Sequence, residues 1–373
     1  MVLLIVYGSL YPWHFAARHL EANPFWILLH SWNPVLNRFT IRDAIVNIAL
    51  YLPLGMAGFL ALGGSMRYWA PVAGGLVLSS TIEMIQLFEP ARTTSALDVV
   101  TNVAGAVLGV AAGTAFEAIA GPVGGNVRRA RPVDRAALSI LFLWAAYLVF
   151  PFFPLVGTFV PNQKLHVFLG SPLFAPVTVV SGAAVWFAGG ILLRAAGLRR
   201  ASLWLALSIL TIPLQIFIVD RQPVPSDLTG AVLGILLFFA AGRNARWRPM
   251  EAAVFLAVIL LRGLAPFAFS GAAKEFSWIP FAGFLDSLWQ RALLTLIEKG
   301  FYYGTAIWFL RRAGMKLAPA TALVAIVLAG IEIAQIRLPG RTPEITDPVL
   351  AILLGIGLAS LSQETGTRSR SAG

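Results

Sequence analysis

The chain has no cysteine, only four histidines, and only 12 % Asp, Glu, Lys and Arg among its 373 residues. Without cysteine there is no disulfide, no thiolate nucleophile and no Cys-based metal site, although the compartment stays open. His14, His19, His30 and His166 form no HxxxH pair, so no metal site is expected. A Walker loop, a G-x-S-x-G elbow and a dinucleotide fingerprint are all missing, so no nucleotide or other cofactor is expected either. A soluble domain carries roughly 25 % charged residues. Here apolar residues make up 58 % and the mean hydropathy is +0.78, which makes this an integral membrane protein. A net charge of +11 would suggest nucleic acid in a soluble chain. In a membrane chain, Lys and Arg set helix orientation instead, and no nucleic-acid partner is expected.

What is present is a series of apolar runs. A bilayer-spanning helix needs about 20 residues. Runs of that kind lie near 2–18, 42–62, 69–89, 97–119, 135–155, 173–195, 201–219, 226–242, 250–270, 292–310, 318–337 and 345–362. The first begins MVLLIVYGSLYPWHF, has no basic residue ahead of it and is interrupted by Pro12, Trp13 and His14. It reads as a retained helix rather than a cleaved signal. If the chain crosses at each run, one side collects 16 of the 28 basic residues against four acids, and the other 12 bases against 13 acids. The basic side is then cytoplasmic, with both termini inside.

One polar stretch interrupts the pattern: EMIQLFEPARTTSALD, from Glu83 to Asp98. Its skeleton Gln86, Arg92, Asp98 returns as Gln215, Arg221, Asp227 and again as Gln335, Arg341, Asp347. Glu332 precedes Gln335 as Glu83 precedes Gln86. A fixed period of this size is the mark of a repeated unit. The expected fold is all-α: a polytopic transmembrane bundle of about 12 helices in three parallel four-helix repeats. The expected divisions are a first unit at 1–119, a basic linker at 120–134, a second unit at 135–242, a third at 250–362 and a cytoplasmic tail at 363–373. An even helix count places every copy of the skeleton on the outer side. Each unit also has a longer outer loop (23–37, 163–176 and 274–289) that is apolar, broken by proline and too short to span.

The first unit holds the fullest polar set. Asp43 and Asn47 are four apart, as are Asp98 and Asn102, and Glu83 and Gln86 are three apart, so each pair shares one helix face. Gly105, Gly109 and Gly113 continue the Asp98 face at a spacing that lets helices approach closely. Acids in a membrane are seldom left unpaired. With Arg92 between them, Asp43, Asn47, Glu83, Gln86, Asp98 and Asn102 are candidates for a headgroup-sized binding site open to the outer leaflet. They equally suit a network that only locks helices together. In a gapless overlay Glu83 and Asn102 become Ile212 and Ala231 in the second unit, and Asp43, Asn47 and Asn102 become Ala292, Leu296 and Ala351 in the third, so the first unit is expected to carry any activity.

The pattern D-x3-N-x5-P-x-G followed by E-x2-Q-x5-R-x5-D-x3-N-x2-G resembles the VanZ-like family, named for a protein linked to teicoplanin resistance. The resemblance covers 1–119 and degenerates in the later units. It implies a bacterial membrane protein connected with the cell envelope and brings no settled activity with it. The readings that follow are binding or handling of an envelope lipid or lipid-linked precursor, enzymatic action on such a molecule, transport or flipping, and a structural partner role. In the first, Arg92 meets phosphate or carboxylate while the acids and amides meet hydroxyls or amines.

Overall fold

The computed structural model describes residues 2–11, 13–32, 38–90, 92–120, 134–150, 159–198, 200–218, 221–241, 244–285 and 289–362. The tail and nearly all of the expected linker fall outside these. Among the described residues every regular element is helical. The chain forms two compact units, Met1–Val127 and Arg128–Gly373.

The N-terminal unit contains α1 (Val2–Leu10), α2 (Pro24–His30), α3 (Arg38–Ala61), α4 (Met66–Gln86) and α5 (Ala96–Ala120). Helix α1 is shorter than the apolar run around it, because the chain turns at Tyr11 and Trp13 takes φ 62°. At nine residues α1 is too short to span a bilayer. Pro53 lies inside α3, which continues past it to Ala61. Helices α3 and α5 lie against each other along most of their length. Glycine makes this possible: a Cβ on Gly105 would stand 2.5 Å from the Ile48 carbonyl oxygen, and one on Gly113 would stand 2.6 Å from the Phe59 ring. Helix α1 packs on α3 and α4 through Ile5, Leu10, Tyr51 and Ile82, all nearly inaccessible. At the far end of the helices Arg67 pairs with Glu117 and lies over the Phe59 ring.

The C-terminal unit contains α6 (Arg135–Val149), α7 (Phe159–Gly170), α8 (Pro176–Ala195), α9 (Ala201–Ser208), α10 (Thr211–Leu214), α11 (Pro225–Ala241), α12 (Arg248–Leu264), α13 (Ala282–Leu285), α14 (Trp289–Arg312), α15 (Leu317–Gln335) and α16 (Thr346–Ser362). The run expected as one helix over 201–219 is broken at Ile209–Leu210 and ends in a tight turn, Gln215–Phe217. Pro213 is the cause, since its ring collides with the carbonyl four residues earlier, at Ile209, and it offers no N–H. Helices α8 and α11 repeat the close approach of α3 and α5, with a Gly230 Cβ falling 2.8 Å from the Val179 oxygen. Between α14 and α6, Trp308 donates to Asp134, which also accepts from the backbone N–H of Ala137 at the start of α6.

Four helical stretches among the described residues are long and apolar enough to cross a membrane: Asp43–Ala61, Ala96–Ala118, Pro176–Ala195 and Leu317–Gln335. Shorter apolar helices accompany them at Arg135–Val149, Ala201–Phe217, Pro225–Ala241 and Thr346–Leu361. The longer loops expected at 23–37, 163–176 and 274–289 are partly helical where described, with α2 in the first, part of α7 in the second, and α13 and a parallel bridge between Ser277 and Glu344 in the third.

Candidate functional site

The recurring skeleton does one job three times. A helix leaves its last carbonyls without internal partners, and in a bilayer water does not reach them. Gln86 donates through Nε2 to the Ser9 carbonyl at 2.7 Å, Gln215 to that of Leu148 at 2.7 Å and Gln335 to that of Gly263 at 2.9 Å. Each acceptor is the penultimate residue of its helix, α1, α6 and α12. The arginine takes the next carbonyls. Arg92 reaches Tyr11 through Nη2 at 3.0 Å and Nε at 3.3 Å, Arg221 reaches Phe150 at 2.8 Å and also Tyr147, and Arg341 reaches Ala265 at 3.0 Å and Arg262 at 2.9 Å. Tyr11, Phe150 and Ala265 each stand one residue beyond their helix. A guanidinium at a helix C-terminus also meets the negative end of the dipole.

The aspartate of each skeleton sits in the first turn of α5, α11 or α16, where a carboxylate faces the positive helix end. The leading glutamate ties down the connection before it. Glu83 Oε2 accepts from the Ser95 N–H at 2.9 Å, and Glu332 Oε2 from the Glu344 N–H at 2.9 Å. Thr94 Oγ1 adds a bond to the Glu83 carbonyl.

In the N-terminal unit, the predicted residues gather at the ends of α3, α4 and α5. Asn47 donates to Thr101 Oγ1 at 3.3 Å and lies beside the Asp98 carboxylate. Asp43 is exposed at the start of α3, within electrostatic reach of Asp98. Arg92 is exposed and acts on both Glu83 and Asp98. One turn deeper, Asn102 donates to Ser79 Oγ at 2.9 Å beside the fully buried Tyr51. Gln86 points away from this group, toward α1.

These contacts, an outer arrangement of Asn47, Glu83 and Asp98 over an inner one of Tyr51, Ser79 and Asn102, are joined to a known sequence family. Residues 1–117 match the VanZ/LLP1 family model. The N-terminal unit is VanZ-like. No curated protein and no solved structure gives a match to the chain.

Around the VanZ-like unit's predicted residues lie others that sequence reasoning missed. Tyr51 and Ser79 could have been found, being four residues from Asn47 and Glu83 on the same faces. Ser95 gives its backbone N–H to Glu83, while its Oγ accepts from the Asp98 N–H at 3.4 Å, a Ser-x-x-Asp spacing at a helix start that the sequence does show. Glu89 is 1 % exposed, and neither carboxylate oxygen has a hydrogen-bond donor. Asn102 Oδ1 is likewise buried without one.

The C-terminal unit holds a second cluster. Asp347 accepts from Lys299 Nζ at 2.5 Å and from the Tyr303 hydroxyl at 2.5 Å. Glu332 and Glu344 are buried beside it, and Thr346 Oγ1 accepts from the Phe281 N–H. Burial pushes the Glu344 carboxyl, in the α15–α16 connection, above its ordinary range. Lys299 and Tyr303 face Asp347 as Asn47 faces Asp98 and Tyr51 lies near Glu83. They stand three positions further along than a gapless overlay of the copies suggests. Among the described residues no group of His, Asp and Glu is arranged to hold a metal ion.

Proposed function

We propose that this protein binds or handles an amphiphilic envelope molecule, a membrane lipid or lipid-linked precursor, at the polar site of its VanZ-like unit. The observation that carries the proposal is the convergence of Asn47, Glu83, Asp98 and Asn102 at one end of three packed apolar helices, with Asp43 and Arg92 exposed at its edge. Headgroup chemistry meets polar side chains there while acyl chains lie along the apolar helices. Acids and amides supply the contacts; Arg92, held on Tyr11, shapes the rim. The reading places the site on the extracytoplasmic face of a bacterial inner membrane, in a chain of three parallel four-helix repeats with both termini in the cytoplasm. The three congruent Gln–Arg attachments support the repeat, and the Lys and Arg distribution supports the orientation.

The test is lipid co-purification with wild type, Glu83→Gln and Arg92→Ala, with melting temperature measured alongside. Altered lipid content in Glu83→Gln at unchanged melting is the expected result. Identical lipid profiles in all three proteins refute it. A second reading, a helix-locking network in a structural partner protein, is favoured by the backbone partner found for every Gln and Arg of the skeleton. In that case both substitutions lower the melting temperature and leave the lipids unchanged.

A further inference from the structure

The two acidic clusters differ in one respect that bears on the ligand. In the C-terminal unit the aspartate is occupied by a primary ammonium that the chain itself supplies, Lys299 Nζ on Asp347 Oδ1. In the VanZ-like unit the corresponding residue is Asn47, which brings a neutral amide to Asp98. The surroundings share a glutamate bonded to the N–H twelve residues on, a tyrosine one turn below and an aspartate opening the last helix, although Tyr303 donates to its aspartate and the Tyr51 hydroxyl has no partner. Among the described residues, no Lys or Arg forms an ion pair with Asp43, Glu83, Glu89 or Asp98. Arg92, which acts on both Glu83 and Asp98, spends Nε and Nη2 on the Tyr11 carbonyl.

Hydrogen-bonding capacity is unbalanced in the same direction. Asn102 is 6 % exposed, lies one turn below Asp98 on its face, and its Oδ1 has no donor. Glu89, in the α4–α5 connection, lacks donors on both oxygens. Buried polar groups are normally satisfied, and those that are not call for an explanation. Beside the acids Glu83 and Asp98, the unpartnered Asn102 Oδ1 and the unpartnered Tyr51 hydroxyl leave hydrogen-bonding capacity that suits a ligand with N–H donors and a positive charge.

We propose that the VanZ-like unit takes a primary ammonium group, carried by an aminoalkyl headgroup, in the place that Lys299 fills in the C-terminal unit. The C-terminal cluster is then a permanently occupied copy of the same site. The inference deepens the function proposed above and rests on it only for the ligand's being membrane-borne.

The experiment reconstitutes the full chain in nanodiscs of phosphatidylethanolamine, phosphatidylcholine or phosphatidylglycerol and counts retained lipid by native mass spectrometry. Soluble ethanolamine is added in a parallel thermal-melting series. Wild type is expected to retain phosphatidylethanolamine about tenfold better than the other two, because the choline ammonium has no N–H to donate and the glycerol headgroup carries no cation. Asn47→Lys is expected to lose that preference while melting no lower than wild type, the introduced ammonium settling on Asp98. Lys299→Asn makes the converse test: opening the C-terminal copy adds a second retained lipid per chain. A preference undiminished by Asn47→Lys, together with no gain in Lys299→Asn, overturns the inference. Lipid retention without headgroup preference overturns it and leaves lipid handling intact. No lipid retention, but melting raised by ethanolamine in wild type and not in Asn47→Lys, overturns lipid handling and leaves the ammonium site standing.

Discussion

Replacing Gly105 by alanine tests whether the polar site depends on how closely α3 and α5 approach. The added Cβ would lie 2.5 Å from the Ile48 carbonyl oxygen and 2.9 Å from the Ile48 Cα, both backbone atoms that no rotamer change can move. The helices must separate by about 1 Å to restore ordinary contact, and overpacking of this kind costs roughly 1–3 kcal/mol. Alanine returns up to about 1 kcal/mol of helix propensity, so the net effect is a loss of about 1–2 kcal/mol. Ile48 adjoins Asn47, so the same displacement stretches the Asn47–Thr101 bond, already 3.3 Å long. Gly74, on α4, provides the control, since nothing lies within 4 Å of its would-be Cβ. Thermal melting in nanodiscs, followed by tryptophan fluorescence, should show Gly105→Ala clearly below wild type and Gly74→Ala at or above it. Equal melting of the two variants would refute the argument from close approach.

Arg341→Ala should lower stability by about 1–3 kcal/mol by leaving the Arg262 and Ala265 carbonyls without their donor, measured by thermal or denaturant unfolding in detergent. A smaller effect is expected for Gln335→Ala, which frees one carbonyl, that of Gly263. Glu344→Gln should grow more stable relative to wild type as pH rises. Burial raises the folded-state pKa of Glu344, so the wild type loses stability from about pH 4.3, the ordinary glutamate value, up through the raised one. A melting series across that range, with a pH-independent difference as the contrary result, decides it. A periplasmic alkaline-phosphatase fusion after Arg92 should be active and one after Arg129 inactive; the reverse pattern inverts the topology.

Where polarity alternates with long apolar runs, the sequence was a good guide. Among the described residues the chain is all-helical, as the apolar runs suggest, although only four helices are long and apolar enough to cross a membrane, and Asn47, Glu83, Asp98 and Asn102 lie at neighbouring helix ends. What escaped was whatever depends on backbone partners far along the chain. Gln86 and Arg92 read as members of a polar site, yet their donors turn to carbonyls of α1, and a carbonyl has no residue-type signature. Lys299 and Tyr303 were missed for a different reason. Opposite Asp347 the α14 side is shifted by three residues against a gapless overlay, so Leu296 stood where Asn47 was sought. The break before Pro213 was visible in the sequence but overshadowed by the apolar run on either side.

The attachment of α1 bears on the order in which the protein is made. Nine residues do not hold a helix in a bilayer. The groups that fix its end, Gln86 and Arg92, follow Ser9 by 77 residues and Tyr11 by 81. During synthesis, α1 therefore has no settled place until α4 has been inserted and the segment carrying Arg92 has emerged beyond it. Helix α1 thus docks only after α2, α3 and α4 have been made, and a chain truncated before residue 86 lacks both attachments.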